Sequence, residues 1–254
     1  MYGQITSGRP PLAQPIDTVL GHQLSAQAKR FAVEYSDFLA RVEFKDITGH
    51  SLNYIRSAEA HFSCDGHRYT IWLDTENPNF EALMMHQSMR GILMERGFPK
   101  TSYPASAAND ALLIFLCSLL SSAVTDPIID GCLIKGGYGV YDREILAHSS
   151  MEQIWLDSRL GTPKPYGFIF CKWTLLTVLI KLDSTFKGEA VNLLHAFIRK
   201  KFQEPWELAD RLAGFMTKKG FAEPYSSLIA MLQLRSALKL EEKISIVDAE
   251  GIRF

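Results

Sequence analysis

The sequence predicts an α+β fold: a small N-terminal sheet with a β-hairpin, a helix pair after it, and a mostly α-helical C-terminal half. Three observations lead there. AEAHFSC and HRYTIWLD flank Asp65-Gly66, a dipeptide that favours a two-residue hairpin turn because both central positions take positive φ. FEALMMHQSMRGILMER (80–96) has helical periodicity and runs into Gly97, with Pro99 beyond, the residues that stop helices. After Pro165 the pattern is helical almost to the end. The 254 residues then divide into an irregular arm (1–16), an α+β core (17–160) and a helical region (161–254). That last region either packs on the core or continues it as one domain.

Taken in order, Pro10, Pro11 and Pro15 make the first segment irregular. From Ser25 to Arg41, Phe31, Tyr35, Phe38 and Leu39 recur at helical spacing, and VEFKDITG (42–49) alternates like a strand. In the second hairpin arm Tyr69, Ile71 and Leu73 alternate with Thr70 and Trp72, the mark of a half-buried strand. The segment Thr75–Asn79 ends it and offers Asn79 as a cap for the helix over 80–96. A second long helix spans 107–124 and stops before Asp126-Pro127. IIDGCLIKGGYGVYD has no phosphate-loop or dinucleotide-loop spacing and reads as a turn-rich connection. Helices follow over 168–183, 189–202, 205–218 and 224–240; Pro205 and Pro224 fall in first turns and Gly220 at a stop. ISIVDAEGIRF supplies a short terminal strand.

Composition narrows the function. A hydrophobic fraction of 47% with 22% charged residues is that of a globular protein able to bury a sizeable core. A formal net charge of −1 gives no electrostatic footprint for nucleic acid or an anionic membrane, so neither partner is expected. ALLIFLCSLLSSAV (111–124) and FIFCKWTLLTVLIKL (168–182) fall short of the ~20 apolar residues of a bilayer span and read as buried helices. MYGQITSGRPPLAQP lacks the basic start and apolar block of a signal peptide. Cys64, Cys117, Cys132 and Cys171 have no metal-knuckle spacing and read as reduced thiols, which fits a cytoplasmic setting.

The chemistry-bearing stretch is His86-Gln87-Ser88-Met89-Arg90 in the 80–96 helix. On a helical wheel Glu81, Ser88 and Glu95 form the solvent face, while Ala82, His86, Arg90 and Leu93 point inward. A hairpin strand, then a helix with an i, i+4 pair, then RGFP resembles the core of the zincin-like metallopeptidases, over roughly residues 60–130. It is similar above all to small bacterial domains whose HExxH helix ends in an RGYP-type turn before a second helix. In that family two histidines one turn apart hold zinc and the glutamate beside the first activates water. Carried over, His86 matches the first ligand, Gln87 the general base and Arg90 the second ligand. An amide cannot take up a proton near neutral pH, and a guanidinium has no lone pair for a metal. The resemblance therefore implies a pseudopeptidase without zinc that works by binding a protein or peptide; His86 is the one residue left to touch a metal.

A third family ligand would come from Asn109, Asp110, Asp126 or His148. Asn109 and Asp110 read more simply as first-turn residues, and Asp126 as a turn residue. A downstream carboxylate paired with Arg90 would fill the vacated site. The expected binding residues are Tyr69, Ile71 and Leu73, on an edge strand that could take up an extended peptide, with Met85 and Met89 in the old cleft. Otherwise Met84, Met85, Met89 and Met94 are core filling, and His195 is a core or half-buried histidine. Ser149-Ser150 has no nucleophile-elbow context. The alternatives are an active hydrolase with an unorthodox site around His86, and an unrelated helical interaction domain.

Overall fold

The computed structural model describes residues 24–46, 60–65, 68–107, 110–140 and 167–254. The arm 1–16, the Gly66 and His67 side of the hairpin turn, and the candidates Asn109, His148 and Ser149-Ser150 lie outside them. The fold is α+β and mostly helical, with eight α-helices and two small sheets among the described residues. It divides into two compact units, Met1–Gly91 and Ile92–Phe254, and the division falls inside one helix. The expected border at 160/161 lies outside the described residues. The second long helix belongs with the C-terminal helices because its apolar side chains are in their core.

In the first unit, α1 (Ala26–Glu34) begins at Ser25, whose Oγ accepts from the Ala28 N–H at 3.3 Å. The short α2 (Ser36–Leu39) leads into β1 (Val42–Asp46). β2 (Ala60–Asp65) and β3 (Arg68–Leu73) form the expected antiparallel hairpin, with Asp65 opposite Arg68. β1 then pairs parallel to β3, Val42 opposite Tyr69, giving the order β1-β3-β2. Tyr69, Ile71 and Leu73 are buried, as the alternation predicts. The chain leaves β3 through Thr75, whose hydroxyl donates to Asp46 Oδ2 at 2.9 Å, and enters α3 (Phe80–Glu95).

Gly91 of α3 is where a small residue is required. A Cβ there would lie 2.3 Å from Phe38 Cζ and 3.0 Å from Phe62 Cε2. Phe38 is held in turn against Tyr69, ring centroids 4.9 Å apart. The helix can therefore approach these rings only where it lacks a side chain.

In the second unit, β4 (Lys100–Ser102) pairs antiparallel with β5 (Ser245–Val247). Arg235 donates through Nη1 to the carbonyls of Ile244 and Phe254, tying the tail to the helices. α4 (Ala111–Lys135) runs straight through Asp126-Pro127, where a stop was expected. Proline removes one backbone donor and disfavours helix at the residue before it. Burial of Val124, Ile128, Ile129 and Leu133 on both sides outweighs that penalty. α4 is consequently 25 residues long and, among the described residues, the one helix long and apolar enough to cross a membrane by length and composition. Half of its apolar window is buried inside the protein.

α5 (Phe168–Leu182) is the centre of this unit: every residue from Phe170 to Ile180 is buried. Its Thr174 and Thr177 hydroxyls satisfy themselves on the carbonyls of Phe170 and Trp173, at 2.8 and 2.6 Å. It packs on α4, on α6 (Glu189–Lys201) and on α7 (Gln203–Lys219), and α8 (Pro224–Ala237) closes the bundle against α4 and α7. Gly220 ends α7 at φ 78 and Pro224 opens α8, as their positions predict. Cys117, Cys132 and Cys171 are free thiols, and burial pushes the Cys171 thiol up to about 11.

Two glycine-to-alanine changes test this packing. Gly91→Ala should lower stability by about 1–2 kcal/mol, since overpacking outweighs the gain in helix propensity. Gly214→Ala in α7, where a Cβ meets nothing within 4 Å, should raise it by up to about 1 kcal/mol. Equilibrium urea unfolding reads both; a stabilising Gly91→Ala would show that the rings do not close on the helix.

Candidate functional site

α3 carries the predicted site residues, but not as expected. His86 is 5% exposed, whereas Gln87 and Arg90 are only partly covered. Arg90 thus does not share the burial of His86. Ser88, assigned to the solvent face, is fully buried, and its hydroxyl has no hydrogen-bond partner among the described residues. Glu81 and Glu95 do lie toward the outside, and Glu81 takes both the backbone N–H and the hydroxyl of Ser25, at 2.7 and 2.6 Å. The wheel erred because α3 is apolar on more than one side: Leu83, Met84, Met85, Met89, Ile92 and Leu93 are all buried.

The expected peptide-binding strand is corrected as well. β3 is the central strand, with β1 on one side and β2 on the other, so both rows of its backbone groups are in the ladder. An extended peptide cannot add to it. Tyr69, Ile71 and Leu73 at 6%, 0% and 0% exposure, and Met85 and Met89 at 2% and 1%, are core residues rather than cleft walls. The structural reading of the methionines holds for Met84, Met85 and Met89.

The proposed downstream ligands are used otherwise. Asp110 is the N-cap of α4, accepting from the Leu113 N–H at 3.0 Å. Asp126 is not in a turn; it is buried within α4. Among the described residues no three His, Cys, Asp or Glu side chains are grouped to hold a metal ion.

A second locus, unmarked by any sequence motif, lies where α6 meets α7. Phe202 separates the two helices at φ −132, ψ 60, and buries its ring against Trp173 of α5, centroids 5.0 Å apart and nearly parallel. An open groove of about 820 Å³ occupies the elbow. Its wall is Trp206, with Lys181 Nζ 4.1 Å from the ring centroid and His195 edge-on at 5.4 Å. Lys181 also bonds Asp210 at 2.8 Å and holds that carboxyl below its ordinary value. His195 is half-buried, as expected, but its Nε2 is buried with no hydrogen-bond partner among the described residues. Burial, and secondarily the Lys181 charge, lower its pKa. The predicted helix over 205–218 sets Trp206, Asp210 and Arg211 about one turn apart, but nothing in the sequence brings them to Lys181, His195 or Arg199.

The His195 shift has a definite sign in stability. A histidine whose folded pKa is depressed is protonated first in the unfolded chain, so acidification favours unfolding. The loss begins as pH falls through the unfolded value of 6.5 and is complete below the folded one. Melting curves from pH 7.5 to 5 should show a steeper fall for the wild type than for His195→Gln; equal slopes would mean the imidazole is solvated. Comparisons with protein-family models, with curated proteins and with solved structures found no match for this chain.

Proposed function

We propose that this chain is a catalytically inactive, zincin-like protein that acts by binding a protein or peptide. The observation that carries the reading is the pair on α3: an enclosed imidazole at His86 and, one turn on, the guanidinium of Arg90 where the family pattern has its second electron donor. A permanent cation there opposes a divalent metal by charge and offers it no lone pair. Gln87 supplies no proton acceptor of useful basicity beside it. The hairpin β2–β3 directly ahead of α3 has the element order that the resemblance implies.

A second reading, an unrelated helical interaction domain, is favoured by the apolar side chains that the helical unit leaves exposed, Leu193 and Phe197 among them. Both readings end in binding, and neither uses β3 as a peptide platform.

The test is metal content and hydrolysis. Protein purified without chelator and dialysed against zinc should hold well under one zinc per chain and leave casein and unstructured peptides intact. One zinc per chain that disappears in His86→Ala, together with zinc-dependent cleavage, would establish the active hydrolase instead.

A further inference from the structure

The groove in the α6–α7 elbow is unbalanced in charge. Of its carboxylates, Asp210 is engaged by Lys181 at 2.8 Å, and Glu207 accepts from Gln203 Nε2 at 2.8 Å. Arg199, Lys200 and Arg211 line the same groove with no carboxylate in ion-pair reach among the described residues. The dipole at the end of α6 accounts for the first two. It does not account for Arg211, which comes from the middle of α7. With Lys181 offset by Asp210, two guanidinium forks and an ammonium thus face one remaining carboxylate, Glu207, and Arg199 also acts at longer range on Asp210.

Next to these cations, α6 exposes Leu193 at 46% and Phe197 at 45%. With Ala196 and Lys200 they follow the i, i+3, i+4, i+7 spacing of a single helix face, and Ala196 and Lys200 line the groove. An apolar stripe therefore runs directly into the unpaired positive charge.

On the reading that the chain works by binding, we propose that the α6–α7 elbow docks an acidic amphipathic helix of a partner protein. Its apolar residues pack on Leu193, Ala196 and Phe197, and its carboxylates meet Arg199, Lys200 and Arg211 beside the Trp206 ring. A bilayer is a poorer occupant. The site is a concave groove of helix-sized dimensions, whereas a bilayer presents a broad surface that cannot enter it.

Display selection of random helix-forming peptides of about four turns on the full chain tests this. Selected peptides should carry Leu or Phe at helical spacing with Asp or Glu beside them. Their affinity should fall with salt, and should fall about tenfold or more in Arg199→Glu/Arg211→Glu. These positions are exposed, so circular dichroism should be unchanged and melting only slightly lowered by the reversed charge at the end of α6; Phe197→Ser should weaken binding at any salt concentration. Replacing the peptide carboxylates by lysine should restore binding to the charge-reversed protein. Failure to select acidic peptides, or acidic binders indifferent to both variants, overturns the elbow as the docking site while leaving a binding role intact. Tighter binding to phosphatidylglycerol vesicles than to any selected peptide overturns it in favour of a lipid surface. Zinc-dependent cleavage of the selected peptide, absent in His86→Ala, would instead sink the non-catalytic reading on which the site rests.

Discussion

The helical unit depends on one contact, the stack of Phe202 on Trp173. Trp173 sits in the middle of a helix in which every residue from Phe170 to Ile180 is buried. Phe202 is the single break between those two helices, and with its ring 1% exposed the break is also an anchor. Burying two large aromatic surfaces in a near-parallel pair contributes both area and ring–ring attraction. Its geometric effect is larger than its energy. Because residue 202 is fixed inside, the side chains one turn before it and one turn after it converge outside. Arg199, Trp206 and the edge of His195 are neighbours for that reason. Pro205 reinforces the bend, since its missing N–H falls in the first turn of α7, where no helical acceptor waits.

The first unit is organised by a different constraint, the absence of a side chain at Gly91. There α3 comes close to the rings of Phe38 and Phe62, and the same helix buries three methionines and an imidazole. Ordered in this way, α3 reads as an element of the core. A helix used to hold a catalytic metal would need a face of donors kept open to substrate and water. Here Ser88 and His86 are closed in, and Gln87 and Arg90 are partly covered, with Arg90 Nε itself buried. α3 thus belongs to the packing, whereas α6 exposes Leu193 and Phe197 beside the cations that line the elbow groove.

Much of this was legible in the sequence wherever the cause is local. The hairpin follows from alternation, the start of α8 from Pro224, the end of α7 from Gly220, and the burial of α5 from its unbroken apolar run. Misreadings arose where distant segments decide. The strand β3 looks like an edge until β1, more than twenty residues earlier, pairs parallel beside it. Pro127 looks like a stop until the helix around it finds a core on both sides. Ser88 looks exposed because the wheel supposes one buried face and α3 has more. The elbow groove had little signal: helical spacing joins Trp206 to Asp210, but Lys181, His195 and Trp206 meet only through the packing of three helices.

The stack at Phe202 is the claim to test most directly, by equilibrium denaturation of Phe202→Ala followed by hydrogen exchange across α6 and α7. Replacing a fully buried phenylalanine should cost about 3–5 kcal/mol, with protection lost first at the α6–α7 joint. Phe202→Leu, which keeps much of the volume but not the ring, should lose less and retain the joint. A cost under about 1 kcal/mol for the alanine variant, with exchange at residues 199–206 unchanged, would contradict the account.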